Sequence, residues 1–230
     1  DPRTEEYHDT MKRITAIVAL MLCMCMVSEA KLVLSSLCSD GMVLQQNDNA
    51  TVWGTADPGS QITVTPSWSG RSYSAKAGKD GRWTVKVATP QGSYKAYTMT
   101  VKGNGETIRI KDILVGEVWL ASGQSNMEMP MRGFYNCPVE DALEYISAPA
   151  ATEKIRMFTV PVKQSYEPLS EVDSRWQGAE SSTIPDMSAT AYFFARKLNE
   201  TLDIPVGIVS CAYGGARVES WTPKEILETY

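Results

Sequence analysis

The feature that most constrains the fold is a change of hydrophobic pattern at Ile113. From there Leu114-Val115-Gly116-Glu117-Val118-Trp119-Leu120-Ala121 is nearly continuous apolar sequence. A strand carries such a run when both of its faces are covered, as in a parallel sheet flanked by helices. Residues 204–211 (IPVGIVSC) form a second run of this kind. Between the two, residues 188–202 (SATAYFFARKLNETL) repeat Ala191, Phe194, Leu198 and Leu202 at spacings of three and four, a helical period. Strand, helix and strand in this order predict an α/β layer fold with a parallel sheet over residues 113–230.

Before Ile113 the pattern is short and alternating. Candidate strands cover residues 42–44, 51–54, 61–65, 72–77, 83–87, 97–101 and 107–110. Alternation is clearest in Ile62-Thr63-Val64-Thr65 and in Trp83-Thr84-Val85-Lys86-Val87. Turn chemistry separates the runs at Asp57-Pro58-Gly59, Gly78-Lys79-Asp80-Gly81 and Gly103-Asn104-Gly105. Many short strands at close spacing predict a small antiparallel β-sandwich over residues 31–112. Residues 133–186 are looser, with prolines at 161, 168 and 185. They are expected to hold a short helix near 139–146 and a strand near 155–160.

The N-terminus reads as a targeting segment. Met11-Lys12-Arg13 is basic, residues 14–27 are apolar, and Ser28-Glu29-Ala30 is a small-x-small cleavage site. Residues 11–30 are therefore expected to be a signal peptide, with residues 1–10 upstream of it and the mature protein secreted or periplasmic. The apolar run is too short for a comfortable membrane span. Of the five cysteines, Cys23 and Cys25 fall inside this leader. Cys38, Cys137 and Cys211 cannot all pair within one chain. Their spacing fits no zinc site, and they are expected to be small buried residues. The net charge is −5, with no run of Lys and Arg, so nothing points to nucleic acid.

Two segments carry candidate chemistry. Gly123-Gln124-Ser125-Asn126-Met127 follows the first buried strand, so Ser125 is expected at the carboxyl edge of the sheet, where α/β ligand sites form. Gly123 permits a tight turn, and a helix beginning here would aim free N–H groups at the same place. The tetrapeptide Ser125-Asn126-Met127-Glu128 equally fits S-x-x-E, a helix capping box, and taken alone that is the better reading. Met127 stands where an α/β-hydrolase elbow needs glycine. The second segment, Ser210-Cys211-Ala212-Tyr213-Gly214-Gly215-Ala216-Arg217-Val218-Glu219-Ser220-Trp221, follows the second buried strand. Its Gly-Gly pair can present unobstructed backbone N–H groups, or can be a plain turn.

Together, GEVWLASGQSNMEMPM, SATAYFFARKL and PVGIVSCAYGGARVESW resemble the sialate O-acetylesterase family and its relatives among carbohydrate acetylesterases, in the SGNH hydrolase superfamily. DGMVLQQ and the β-rich region before these blocks are also similar to that family. The resemblance covers nearly all of residues 31–230. It implies an SGNH-type, flavodoxin-like parallel sheet behind the β-sandwich. It gives Ser125 as nucleophile and the N–H groups of Ser125, Gly214 and Gly215 as the oxyanion hole. It gives Gln124, Asn126 and Glu219 as supporting residues. Arg217 and Trp221 would touch substrate: Arg217 pairing with a sugar carboxylate, unless it is an ordinary surface arginine, and Trp221 stacking on a sugar face, unless it is packed in the core. The family commonly has Trp-Gly-Gly followed by Ser or Thr. Here Tyr213 precedes the pair and Ala216 follows it, so position 216 offers no hydroxyl.

Serine is a weak nucleophile without a base. The only histidine is His8, ahead of the expected leader. The family's Gln-Gly-Glu block and its Asp-x-x-His motif would lie beyond Tyr230. The chain is therefore expected to be the N-terminal part of an esterase whose C-terminal segment supplies Asp and His, and to be inactive alone. The implied substrate is O-acetylated sialic acid, with acetylated xylan or another acetylated glycan as the alternative. Neither metal nor organic cofactor is implied. A non-catalytic carbohydrate-binding protein or inactive remnant is the competing class.

Overall fold

The computed structural model describes residues 31–148, 154–167 and 169–229. Residues 1–30, with His8 and the expected leader that contains Cys23 and Cys25, lie outside the described residues, as do Pro168 and Tyr230. The strands in chain order are β1 (Val33–Leu34), β2 (Val43–Gln45), β3 (Asn49–Thr55), β4 (Gln61–Pro66), β5 (Tyr73–Lys76), β6 (Arg82–Ala88), β7 (Ser93–Gly103), β8 (Glu106–Gly123), β9 (Ile155–Thr159), β10 (Trp176–Gly178) and β11 (Val206–Ala212). The helices are α1 (Ser125–Glu128), α2 (Ala142–Ser147), α3 (Ala189–Leu202) and α4 (Lys224–Leu227).

The period-2 pattern does in space what it predicts. Along β6, Trp83, Val85 and Val87 are buried while Arg82, Thr84, Lys86 and Ala88 are exposed. A small antiparallel sheet, β1-β3-β6, shares one core with β4, β7 and the first half of β8. Val52, Ile62, Val64, Met99 and Val101 are wholly buried in it. The second sheet runs β10-β9-β11-β8-β7-β4-β5, with β2 paired to β8. Three of its strands, β9, β11 and β8, are parallel neighbours, while β10 joins β9 antiparallel. The architecture is thus α/β with one mixed sheet and one antiparallel sheet, rather than a purely parallel layer. Neither β1 nor β10 is signalled in the sequence; two- and three-residue strands are too short to show a period and exist through their pairing.

The expected boundary at residue 112 falls inside one strand. β8 runs for 18 residues and belongs to both halves. Its first part pairs antiparallel with β7, and its last seven residues pair parallel with β11. At the crossover Asp112 takes φ +54, a left-handed conformation that Asp tolerates better than most residues. Arg156 of β9 holds this kink. Its guanidinium is buried and donates to the Gly41 carbonyl at 2.8 Å, to the Asp112 carbonyl, and to the Asp112 carboxylate at 2.8 Å.

On the edge that β8 shares with β7, the ladder ends at Val115. Beyond it Trp119 and Leu120 are 45% and 69% exposed, with no strand against that edge among the described residues. Trp119 meets Phe194 of α3 edge-to-face at 5.2 Å between ring centres. This contact explains a departure in α3. The buried side of that helix is Ala191, Tyr192, Ala195 and Asn199, whereas Phe194 and Leu202 are exposed. Small alanines let the helix approach the sheet closely, and the large side chains turn to its flanks.

No helix among the described residues is long and apolar enough to cross a membrane. The cysteines also differ from one another. Cys38 is buried, Cys211 is half-buried and Cys137 is exposed, so the expectation of burial fails at Cys137, in the turn it closes with Phe134. Burial pushes the Cys38 thiol up to about 11. A raised thiol pKa means less thiolate. At pH 8 a maleimide or disulfide reagent should therefore label Cys137 in the native chain and spare Cys38 until denaturant is added. Mass mapping of the labelled peptides checks this.

Arg156→Ala should cost about 2–3 kcal/mol, because two backbone carbonyls lose a charged, buried donor. Asp112→Ala should cost less, since the Asp112 side chain is more than half exposed. Urea denaturation of both variants gives the comparison.

Candidate active site

The site follows from the β8–β11 register. Ser210 lies opposite Ala121, Cys211 opposite Ser122 and Ala212 opposite Gly123. Because the strands are parallel, both chains leave the sheet at the same end. Gly123 takes φ +157, which L side chains rarely adopt, and redirects the chain into α1. Tyr213 N–H donates to the Gly123 carbonyl at 3.0 Å, continuing the contact one step past the last pair.

Ser125 is the first residue of α1, not its cap. Gln124 occupies the cap position and makes no side-chain capping bond. The capping-box reading therefore does not describe this helix. Ser125, Gln124 and Asn126 are all exposed. The Ser125 hydroxyl makes no hydrogen bond among the described residues, and the first N–H groups of α1 have no acceptor within the helix.

The second segment turns back immediately. Ala216 N–H donates to the Tyr213 carbonyl at 3.2 Å, closing a four-residue turn with Gly215 in its third position at φ +75. That φ is the reason for glycine there. A Cβ on Gly214 would stand 2.5 Å from the Glu128 carboxylate, at the far end of that side chain, and at ordinary contact distance, 3.6 Å, from Ser125 Cβ, so a side chain here would displace Glu128. The Gly214 N–H, expected to face substrate, donates to that carboxylate at 2.6 Å. The Gln124 side-chain amide donates to the Ala216 carbonyl. Asn126 is tied through its backbone, its carbonyl accepting from Thr190 Oγ1 at 2.9 Å.

The remaining expected residues lie further along. Glu219 and Trp221 sit in a 3-10 turn, Val218–Trp221, and both are exposed. Trp221 is 39% exposed, which sets aside the packed-core reading. Arg217 is exposed and has no ion-pair partner among the described residues. No cluster of three or more His, Cys, Asp or Glu poised for a metal occurs among the described residues.

Sequence reasoning missed what fastens α1. Ser188 Oγ accepts from Ala191 N–H as the N-cap of α3, at 3.2 Å, and donates to the Met127 carbonyl at 2.6 Å. Ala189 N–H donates to the Met129 carbonyl at 2.8 Å. A serine just before a periodic apolar segment signals the cap. Nothing in the sequence signals its second bond.

With this geometry in hand, likeness to known proteins is informative. The structure is similar to a crystal structure of a carbohydrate acetylesterase from Xanthomonas citri, with a TM-score of 0.77 and 32% identity over 86% of this chain and 44% of that one. In sequence the chain is 32% identical to the sialate O-acetylesterases of Mus musculus, over 81% of this chain and 37% of that protein, and of Homo sapiens, over 84% and 39%. It thus spans under half the length of these relatives. The family model for carbohydrate esterases of the sialic acid-specific acetylesterase type matches residues 115–230. The chain belongs to this sialic acid-specific acetylesterase family.

Ser188→Ala should lower stability by about 1–2 kcal/mol, the usual cost of an N-cap, while Ser188→Thr should keep most of it. Urea midpoints at unchanged slope are the test.

Proposed function

We propose that the polypeptide containing this chain is a secreted or periplasmic serine esterase that removes O-acetyl groups from sialic acid, with Ser125 as its nucleophile. The observation that carries this reading is the convergence of the two strand exits. Ser125 and the Gly214–Gly215 turn meet at the carboxyl end of parallel strands, with open space where a Gly215 side chain would be. Family membership supports the reaction class.

The chemistry is acyl transfer in two steps. A histidine oriented by an aspartate, both supplied C-terminal to Tyr230, takes the Ser125 proton. Ser125 Oγ then attacks the acetyl carbonyl. Backbone N–H groups of Ser125 and the glycine turn hold the negative charge that develops on the carbonyl oxygen. The sugar hydroxyl leaves with a proton returned by the histidine, and water hydrolyses the acetyl-enzyme by the reverse path. No metal or organic cofactor takes part. Arg217, exposed and unpaired among the described residues, suits the carboxylate of sialic acid, and Trp221 offers a face to the sugar ring. In this reading the sheet is of the SGNH type, and further strands cover the apolar edge at Trp119 and Leu120.

Acetate release from O-acetylated sialic acid and from acetylated xylan, measured on this chain and on the full-length polypeptide, tests the proposal. Turnover of the sialic acid ester by the full-length protein alone is expected. Preference for xylan moves the substrate to plant glycans, and absence of turnover on both leaves a non-catalytic carbohydrate binder. Ser125→Ala should reduce turnover by about a thousandfold or more with an unchanged circular dichroism spectrum.

A further inference from the structure

We infer that Glu128 is a positioning residue for the oxyanion pocket: its carboxylate takes up the Gly214 N–H and leaves Gly215 as the donor that the turn offers beside Ser125. This inference rests on the esterase reading above and assigns the parts of that site. A buried or ordered N–H must find an acceptor, and those of the turn are accounted for one by one. Tyr213 N–H goes to the Gly123 carbonyl, Gly214 N–H to Glu128, and Ala216 N–H back to Tyr213. Gly215 N–H alone has no partner among the described residues. Apart from its chain neighbours, no atom lies within 4 Å of where a Cβ on Gly215 would stand, so that side of the turn is open.

Glu128 is not engaged elsewhere in a way that would explain it as a helix residue. Its backbone N–H bonds to the Gln124 carbonyl at 2.9 Å, but its side chain does not fold back to the cap. Instead it reaches across to a turn 86 residues later in the chain. A hydrogen bond from N–H to a carboxylate is stronger than one to a neutral acceptor, and at 2.6 Å this one is short. It locks the turn to α1, together with the Gln124 amide on the Ala216 carbonyl. A negative charge so near a developing oxyanion does not help electrostatically. The benefit lies in the acceptor oxygen and its position, not in the charge.

That distinction sets the test. In the full-length polypeptide, Glu128→Gln retains an acceptor without charge and should keep kcat within about threefold, whereas Glu128→Ala should lose about a hundredfold in kcat with KM little changed, the cost of a donor misplaced by about an ångström. Gly214→Ala drives a methyl against the carboxylate, so it should mimic Glu128→Ala, and the double variant should be no worse than either single one. In this chain, the Gly214 amide proton should move upfield and exchange faster in Glu128→Ala, while Ser125→Ala leaves it unchanged. Wild-type kcat in Glu128→Ala, additive losses in the double variant, or an unmoved Gly214 amide would each overturn the inference. If instead no variant and no wild type releases acetate while the amide moves as expected, the esterase reading fails and the Glu128–Gly214 clamp stands as geometry alone.

Discussion

The parallel ladder between β8 and β11 is the constraint on which the site depends. Parallel strands cannot be joined by a tight turn, so the residues that meet at their ends come from distant parts of the chain. Here the register sets Gly123 against Ala212 and thereby brings two exits into one small volume. A slip of one residue would reverse the faces of every side chain along β11. Val206 and Ile208 are wholly buried on one side of that strand, which makes such a slip costly. The core thus fixes the site's geometry without contributing any atom to it.

The strand that leads to Ser125 also belongs to the antiparallel part of the fold. The first part of β8 pairs with β7, and its last seven residues lead to the turn before Ser125. The bend between them costs a left-handed backbone at Asp112, and Arg156 offsets that cost by bonding both the carbonyl and the carboxylate of the same residue. An arginine rather than a lysine suits the place, since a planar fork reaches several acceptors at once. The antiparallel and parallel parts of the mixed sheet are therefore joined by one continuous strand and by a buried cation. β2 adds to the join by pairing with β8 on the edge that β11 then continues.

How legible this was in the sequence depends on the range of each interaction. Alternation in β4 and β6, and the apolar runs of β8 and β11, are local patterns and translate directly into strands. The helix α3 was legible as a helix but not in its orientation. Its spacing sets Phe194 and Leu202 in one series with Ala191 and Leu198, yet Phe194 and Leu202 are exposed while Ala191 and Ala195 are buried, because the period alone does not say which side lies on the sheet. The boundary expected at residue 112 falls within a strand that runs straight through it, and the apolar run beyond Ile113, expected to be covered on both faces, leaves Trp119 and Leu120 exposed. Arg156 was invisible: its partners lie on β8 and before β2, and a lone arginine in a strand carries no signal of them. Gln124, Ser125, Gly214 and Gly215 were found as motif residues. The bond that organises them, from Glu128 to Gly214, has no local signature, since S-x-x-E is equally the pattern of a capping box.

A capping box and the arrangement seen here use the same residue types at the same spacing, and the difference is where the competing N–H donors lie. In an isolated helix the nearest unsatisfied donor is at the cap. Here the sheet delivers a better one, the Gly214 N–H, to within 2.6 Å of the Glu128 carboxylate. Gly214 has no side chain to press on that carboxylate as its N–H approaches. The tertiary donor therefore displaces the local one. Ser125 is left as the first residue of a helix with its hydroxyl unspent. A cap would have consumed the very group that a nucleophile needs free. The long-range bond from Glu128 is thus what separates the capping use of this motif from the chemical use proposed for it.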